Sequence, residues 1–481
     1  MLNWKDEYNL GMLADFYEFT MANGYLEKNK EDIITYFDLY FRNVPDNGGF
    51  VILAGLEQLI SYIENLKFSE SDIEYFKSKN IFSEKFIDYL RDFKFEGDIW
   101  AMPEGSIAFP NEPLVTVRAP AVQAQLIETM ALLCINHQTL IATKANRIVR
   151  AANGRAVMEF GARRAQGADA ATLGARAAYV GGVIGSSNTL TDKIFNVPAL
   201  GTMAHSWVMM FENEYEAFKA YAETFPDDTT LLVDTYNTLK EGVPNAIRVF
   251  NDVLKPLGKR PKGIRLDSGD IAYLSKQSRI MLDDAGYEDC KIVASSSLDE
   301  FKIKALINQG AKVDSFGVGE RLITSKSSPV FGGVYKLVAI EKNNKIIPKI
   351  KISENVEKIT TPGFKQIYRI YDNITKKAEA DLVCLFDEEI DTTKPLEIFH
   401  PVHTWKRKVI ENFSVKKLLL PIFKNGKLIY NPPTLDDITN YRKTELNSFW
   451  DEIKRFDYPH LYVVDLSLKL WNLKTDLLQN R

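Results

Sequence analysis

The sequence predicts an α/β fold, a parallel βα barrel or open sheet, together with a second, discontinuous α+β domain. Three observations carry this reading. Between about residues 156 and 318, short apolar runs recur at intervals of roughly 20 to 30 residues, each ending in a glycine-rich or polar cluster, with helical patterns between most of them. That rhythm is absent from both flanks, where short strands, turns and isolated helices alternate instead. Hydrophobic residues make up 45% of the 481 residues and aromatics 11%, enough for a large buried core.

In chain order, 3.6-residue apolar spacing predicts helices over 10–25 and 55–66, with a strand over 34–41 between them. Short strands are expected over 99–102, 107–109 and 114–117, punctuated by Pro103, Pro110 and Pro113. Helices follow over 121–134 and 137–152, the second stopped by Asn153-Gly154. The strands of the rhythmic region are expected over 156–160, 178–184, 197–200, 230–233, 262–266, 291–294 and 313–316. Helices over 270–285 and 299–309 each run into a glycine. Beyond about 345, strands over 365–371 and 416–423 and a helix over 434–455 complete the chain. The domains are therefore expected at 1–118, 119–345 and 346–481, the first and last packing together.

Charge and cysteine content narrow the class of function. Sixty basic residues against 64 acidic ones give a net charge of −4, which argues against wholesale binding to nucleic acid or an acidic membrane. Cys134, Cys290 and Cys384 stand far apart with no C-x-x-C, as in a reducing compartment. The start, MLNWKDEYNL, has acids where a signal peptide would be apolar, so a cytoplasmic location is expected. The uncharged stretch 194–211 is broken by Asn196, Pro198, Gly201 and His205 and does not read as a membrane span.

Chemistry-bearing residues gather at the ends of the expected parallel strands, where a barrel places its active site. Ser295-Ser296-Ser297 and Gly317-Val-Gly319 close the last two strands; either alone reads more readily as a tight turn, but on consecutive strands they suit an anion such as phosphate. Arg265-Leu-Asp267-Ser-Gly-Asp270 puts a cation and carboxylates at one strand end, fit for ribose hydroxyls or a magnesium-bound pyrophosphate, or simply for a salt bridge. Phe160-Gly-Ala-Arg163 offers a flat apolar face and a planar cation, which suits an aromatic acid. His205 follows a strand and precedes Ser206, which is expected to cap a long helix to about residue 225 and keep the imidazole neutral and nucleophilic. His400 and His403 lack a third ligand and read as loop residues.

Eleven segments then carry a resemblance: LGMLADFYEFTMANGY, ITYFDLYFRNVP, NHQTLIATKANRIV, MEFGARRAQG, GSSNTL, GTMAHSWVM, VDTYNT, RLDSGD, FGVGERLITS, GGVYKLV and KITTPGFKQIYR. In this order they resemble the nicotinate phosphoribosyltransferase family. The resemblance implies an irregular, TIM-like type II phosphoribosyltransferase barrel and a homodimer whose active sites are shared. It implies formation of nicotinate mononucleotide and pyrophosphate from nicotinate and 5-phosphoribosyl 1-pyrophosphate (PRPP) in NAD salvage. ATP hydrolysis would be coupled through a phosphohistidine, with Mg2+ present.

Carried over residue by residue, the resemblance makes His205 the phosphorylated residue. Asp15 and Tyr17 of the neighbouring subunit would meet nicotinate, with Tyr17 stacking opposite Phe160. Arg163, Asp234, Arg265 and Asp267 would line the base and ribose. Ser296, Ser297, Gly317 and Gly319 would hold the 5′-phosphate, and Arg42 and Lys336 would reach the pyrophosphate. Glu320 stands where many relatives have threonine and receives no role. The isolated Cys384 supplies no ligand set for the zinc that some relatives carry, so no zinc is expected.

Three rivals are weaker on the same residues. A sugar-phosphate isomerase or lyase would keep the phosphate loops but need a strand-end lysine or an acid–base pair, and no strand-end lysine is found. A nucleotide sensor without turnover should have lost His205 or the acids of RLDSGD. A nicotinamide-specific relative would place an acid where this chain has Ser187, and that acid would repel nicotinate.

Overall fold

A computed structural model describes residues 10–480 of the chain. The acidic start of the sequence, 1–9, lies outside the described residues. The chain forms two compact units, one built from the residues up to Leu140 together with those from Val330 onward, the other from Ile141–Pro329.

The first unit is organised by a seven-stranded antiparallel sheet in the order Lys345–Pro348, Gly333–Lys342, Ile34–Phe41, Val115–Pro120, Asp98–Ala101, Leu420–Lys424 and Lys427–Leu428. Residues 119–140 and 330–345, assigned to the barrel from sequence, group here because Gly333–Lys342 pairs along the whole of Ile34–Phe41. Phe37, Leu39 and Phe41 alternate onto the face that packs on helices Phe16–Glu27, Leu56–Asn65, Glu70–Ser78 and Glu84–Arg91. A second sheet runs Phe413–Lys417, Lys365–Asp372, Ala378–Leu385 and Val464–Leu466. Arg369, fully buried in it, is compensated by Asp381 at 2.6 Å and Glu445 at 3.0 Å. All three cysteines are buried free thiols.

Several expectations in this unit need correction. The first helix begins at Phe16, with Asp15 at its N-cap and a separate 3-10 turn at Leu10–Met12. The helices expected over 121–134 and 137–152 are a short Ala121–Gln125 and one continuous Glu128–Ala151, so the break falls earlier than expected. The strand expected over 416–423 is two strands in different sheets, separated at Leu418 and Leu419. The last long helix stops at Asn447, and a further helix, Leu468–Gln479, was not read from sequence.

The second unit is built on a parallel sheet, Ala156–Glu159, Ser315–Val318, Lys291–Ala294, Gly263–Leu266 and Thr230–Leu232, neighbours in that order. Single-residue parallel bridges extend it from Glu159 to Ser186 and on to Ala199. These are the seven positions of an irregular βα barrel, two of them reduced to bridges. The strand expected over 178–184 is instead the end of an alanine-rich helix, Ala168–Gly181, stopped by Gly182 at φ +116°. Alanine's helix propensity outweighed a short apolar run that periodicity alone cannot classify.

Candidate active site

Four of the expected catalytic residues meet at the strand ends of the second unit. Arg265, inside Gly263–Leu266, donates to Asp267 Oδ1 at 2.8 Å, to the Ser295 hydroxyl at 2.9 Å and to the Thr202 hydroxyl at 3.4 Å. Its guanidinium also lies 5.8 Å from the centre of the Phe160 ring. Ser295 in turn donates to Asp267 Oδ1. Burial opposes the charge on Asp267, but the Ser295 and Arg265 bonds prevail and hold its carboxyl below the ordinary range.

Asp234 follows Thr230–Leu232 and is only 8% exposed. Its Oδ2 accepts the Asp267 backbone N–H at 3.0 Å and the Ser268 hydroxyl at 2.6 Å, which pins the loop after Arg265. Its Oδ1 is without a hydrogen-bond partner among the described residues. His205 completes the group: its Nδ1 lies 3.1 Å from Thr235 Oγ1, and its Nε2 stands 3.9 Å from Asp267 Oδ2.

The local structure around His205 differs from the sequence expectation. His205 opens a five-residue helix, His205–Met209, whose N-cap is Ala204. A separate helix, Glu214–Thr224, starts under an Asn213 cap. Ser206 therefore caps nothing, and the imidazole is positioned by Thr235 rather than by the field of a long helix.

The turns at Phe160 and Gly317–Gly319 are held as tightly. Phe160 donates its N–H to the Val318 carbonyl at 2.8 Å, and its ring covers Gly317, where an added Cβ would sit 2.6 Å from the ring. Gly317 thus makes room for Phe160, while Gly319 stands at the open strand end as the N-cap of Glu320–Ile323. Arg163 lies exposed on a 3-10 turn, Ala162–Arg164. Ser187 is exposed, and its N–H is taken by the Glu159 carbonyl at 2.9 Å. Ser296 and Ser297 are exposed at φ +106° and +47°, consecutive strained residues of the kind that turn backbone N–H groups toward an anion. Glu320 pairs with Lys326 at 2.6 Å on the rim.

The remaining expected residues belong to the first unit. Asp15 donates its N–H to Thr129 Oγ1 at 3.2 Å. Tyr17 is 45% exposed, and its hydroxyl is pushed upward by burial and by Glu128. Arg42 has its Nε buried without a hydrogen-bond partner among the described residues. Lys336 donates to the Tyr335 carbonyl at 2.8 Å, and its pKa is pushed down by burial, with Glu128 opposing and Lys351 and Arg42 adding to the fall. A cavity of about 470 Å³ in this unit, walled by Val383, Trp471 and Lys474, contains none of the expected residues.

Sequence reasoning assigned no role to Thr235, Ser186 or Glu159 and placed Ser295 only in an anion-binding turn, yet all four hold other expected residues in place. Ser295 and Thr235 each adjoined a residue already singled out, which was the available signal. Among the described residues no cluster of three or more His, Cys, Asp or Glu is gathered as a metal site. His400 Nδ1 accepts the Val402 and His403 N–H groups within its own loop. No helix among the described residues is long and apolar enough to cross a membrane.

Comparison with known proteins finds similarity along nearly the whole chain. The model of the nicotinate phosphoribosyltransferase N-terminal domain matches residues 12–136, that of the nicotinate phosphoribosyltransferase family 155–373, and that of the C-terminal domain 364–474. A Bacillus subtilis nicotinate phosphoribosyltransferase is 47% identical over 473 residues, covering 98% of this chain and 95% of the relative. The crystal structure of human nicotinic acid phosphoribosyltransferase superposes with a TM-score of 0.85 at 27% identity, covering 97% of this chain and all of that one. A Pyrococcus furiosus nicotinate-nucleotide pyrophosphorylase, 23% identical with a TM-score of 0.71 over 93% of this chain and 98% of its own, shares the fold.

Proposed function

The chain belongs to the nicotinate phosphoribosyltransferase family, and from that premise we propose how its own residues divide the work. The enzyme joins nicotinate to PRPP, forming nicotinate mononucleotide and releasing pyrophosphate. The pyridine nitrogen attacks C1 of the ribose as the bond to pyrophosphate breaks, through a state with cationic character at C1. Such chemistry asks the protein for positioned charge rather than a strong nucleophile.

The observation that carries the assignment is the ionised Asp267, held by Arg265 and Ser295 with its Oδ2 outside those bonds. In the proposal its negative charge faces the developing ribosyl cation, and Asp234 fixes the loop that presents it. Nicotinate stacks on Phe160, its carboxylate meets Arg163, and Ser187 admits that carboxylate without repulsion. Ser296, Ser297 and Gly319 hold the 5′-phosphate, with Gly317 seating the Phe160 ring. Arg42 and Lys336 take the pyrophosphate.

The proposal includes a homodimer in which Asp15, Tyr17 and Arg42 enter the partner's site, and a cytoplasmic location. It also includes coupling to ATP, which makes the enzyme an ATP-dependent ligase. Thr235 holds His205 Nδ1 and leaves Nε2 as the nitrogen that takes the γ-phosphoryl group. Asp267 and Asp234 would hold Mg2+, which would supply neutralisation of the pyrophosphate charge.

The test supplies PRPP, Mg2+ and ATP, offers nicotinate, nicotinamide or quinolinate separately, and identifies the mononucleotide. Product from nicotinate alone is expected; product from nicotinamide alone would overturn the substrate assignment.

A further inference from the structure

Glu159 ends the strand Ala156–Glu159, and its side chain is completely buried. A carboxylate in such a place is costly unless its oxygens are satisfied. Here the partners are two neutral donors. Oε1 accepts the Gly161 N–H, and Oε2 accepts the Ser186 hydroxyl at 2.6 Å. Burial pushes the Glu159 pKa up, and these two bonds pull it back.

The main chain of the same residue is stapled to the same neighbour. Its N–H donates to the Gly185 carbonyl at 3.0 Å, and its carbonyl accepts the Ser187 N–H at 2.9 Å. Ser186 Oγ also accepts the Asn188 N–H at 3.1 Å, so the carboxylate reaches through that hydroxyl into the turn after Ser187. On the other side, Gly161 packs so closely on Ile323 that an added Cβ would lie 2.6 Å from its Cγ2. With the Phe160 ring fixed over Gly317, the orientation of the Phe160–Gly161 peptide is set by Glu159.

From this juxtaposition we infer that Glu159 is the positioning residue of the pyridine-acid pocket, coupling the Phe160–Arg163 turn to the Ser187 turn so that both meet one ligand at a fixed spacing. It does not touch the substrate. The inference rests on the nicotinate reading above, in which Phe160 and Arg163 lie on one turn and Ser187 on the other. It goes beyond that reading by naming the group that ties the turns together.

Glu159→Gln preserves shape but can no longer accept at both ends. With its oxygen kept on the Gly161 N–H, its NH2 meets Ser186 Oγ, which reverses that bond and leaves the Ser186 hydroxyl without its carboxylate acceptor. Ser186→Ala severs only the second arm. KM for nicotinate should rise about tenfold in Glu159→Gln and by a smaller factor in Ser186→Ala, with KM for PRPP changed less than about twofold. Because both substitutions act on the same hydrogen bond, their effects should not add, the double variant raising KM by less than the product of the two single effects.

A merely structural role would raise both KM values together or make the two substitutions additive, and either result overturns the inference. An unchanged KM for nicotinate in Glu159→Gln overturns it as well. A substrate-free readout separates this failure from failure of the substrate assignment. Hydrogen exchange followed by mass spectrometry should show peptides spanning 160–167 and 186–190 exchanging faster together in Glu159→Gln. Acceleration of only one of them shows that the turns are not coupled, whatever substrate the wild type accepts.

Discussion

Glu18 makes a prediction whose size follows from the structure. It lies on the Phe16–Glu27 helix beside Tyr17, is fully buried, and accepts the Thr129 hydroxyl on one oxygen while the other has no hydrogen-bond partner among the described residues. Burial is the largest influence on it. The Thr129 bond opposes and Glu128 adds to the rise, and the carboxyl ends at about 7 instead of 4.5. Below pH 4.5 both folded and unfolded chains keep the proton and nothing is lost. Between 4.5 and 7 the unfolded chain releases it while the folded chain does not, so stability falls as pH rises, and above 7 the whole penalty stands.

A shift of about 2.5 units corresponds to about 3.4 kcal/mol at pH 8.5 and to only about 0.8 kcal/mol at pH 5. Glu18→Gln removes the ionisation, keeps an acceptor for Thr129, and should return most of that difference. With an unfolding entropy of about 2.1 cal/mol/K per residue, a unit of roughly 300 residues should gain about 4–6 °C in Tm at pH 8.5 and about 1 °C at pH 5. Thermal unfolding of both proteins at the two pH values is the assay. An equal gain at both, or a loss at pH 8.5, would refute the reasoning, because neither follows from an acid that is neutral in the fold and ionised outside it.

Other expectations concern the site itself. On the proposed reading Ser187→Asp places a like charge beside the nicotinate carboxylate, so nicotinate should weaken roughly 10- to 100-fold while nicotinamide weakens less or gains; equal losses in steady-state assays would mean that position 187 does not face the acid group. His205→Ala should abolish ATP stimulation and acid-labile label from γ-labelled ATP while slow ATP-independent synthesis remains, and undiminished stimulation would place the phosphoryl relay elsewhere. Mixing Tyr17→Ala with Arg163→Ala should restore activity to at most about a quarter of sites if subunits exchange, and no recovery in proven heterodimers would exclude shared sites.

The parallel strands were legible because their apolar runs end in residue types that rarely cluster by accident. Arg265, Asp267, Asp234 and His205 are all charged or titratable groups at such ends, and they meet in space. Their supports were not legible. Ser295 reaches Arg265 across 30 positions, and Thr235 reaches His205 across 30. A hydroxyl in a sequence announces no partner at that distance. Glu159 was hidden for a related reason: a lone acid beside an apolar run looks like a strand end meeting water, and only the fold shows it wholly enclosed. The misread segment 178–184 failed on different grounds, since a run of small apolar residues satisfies helix and strand alike until its neighbours are known.

The division of the first unit between the two ends of the chain has a consequence for synthesis. Ile34–Phe41 can pair with Val115–Pro120 soon after both emerge, but its other edge belongs to Gly333–Lys342, and Asp98–Ala101 must await Leu420–Lys424. At about 5–20 residues per second, roughly 300 residues of translation leave those edges open for about 15–60 s. During that interval every strand of the Ile141–Pro329 unit has already been made, so the unit that carries Arg265, Asp267, Asp234 and His205 can close first. A nascent chain halted near residue 330 should therefore present a protease-resistant inserted unit attached to an unfinished sheet, with the open edges of that sheet the natural point for a chaperone to bind.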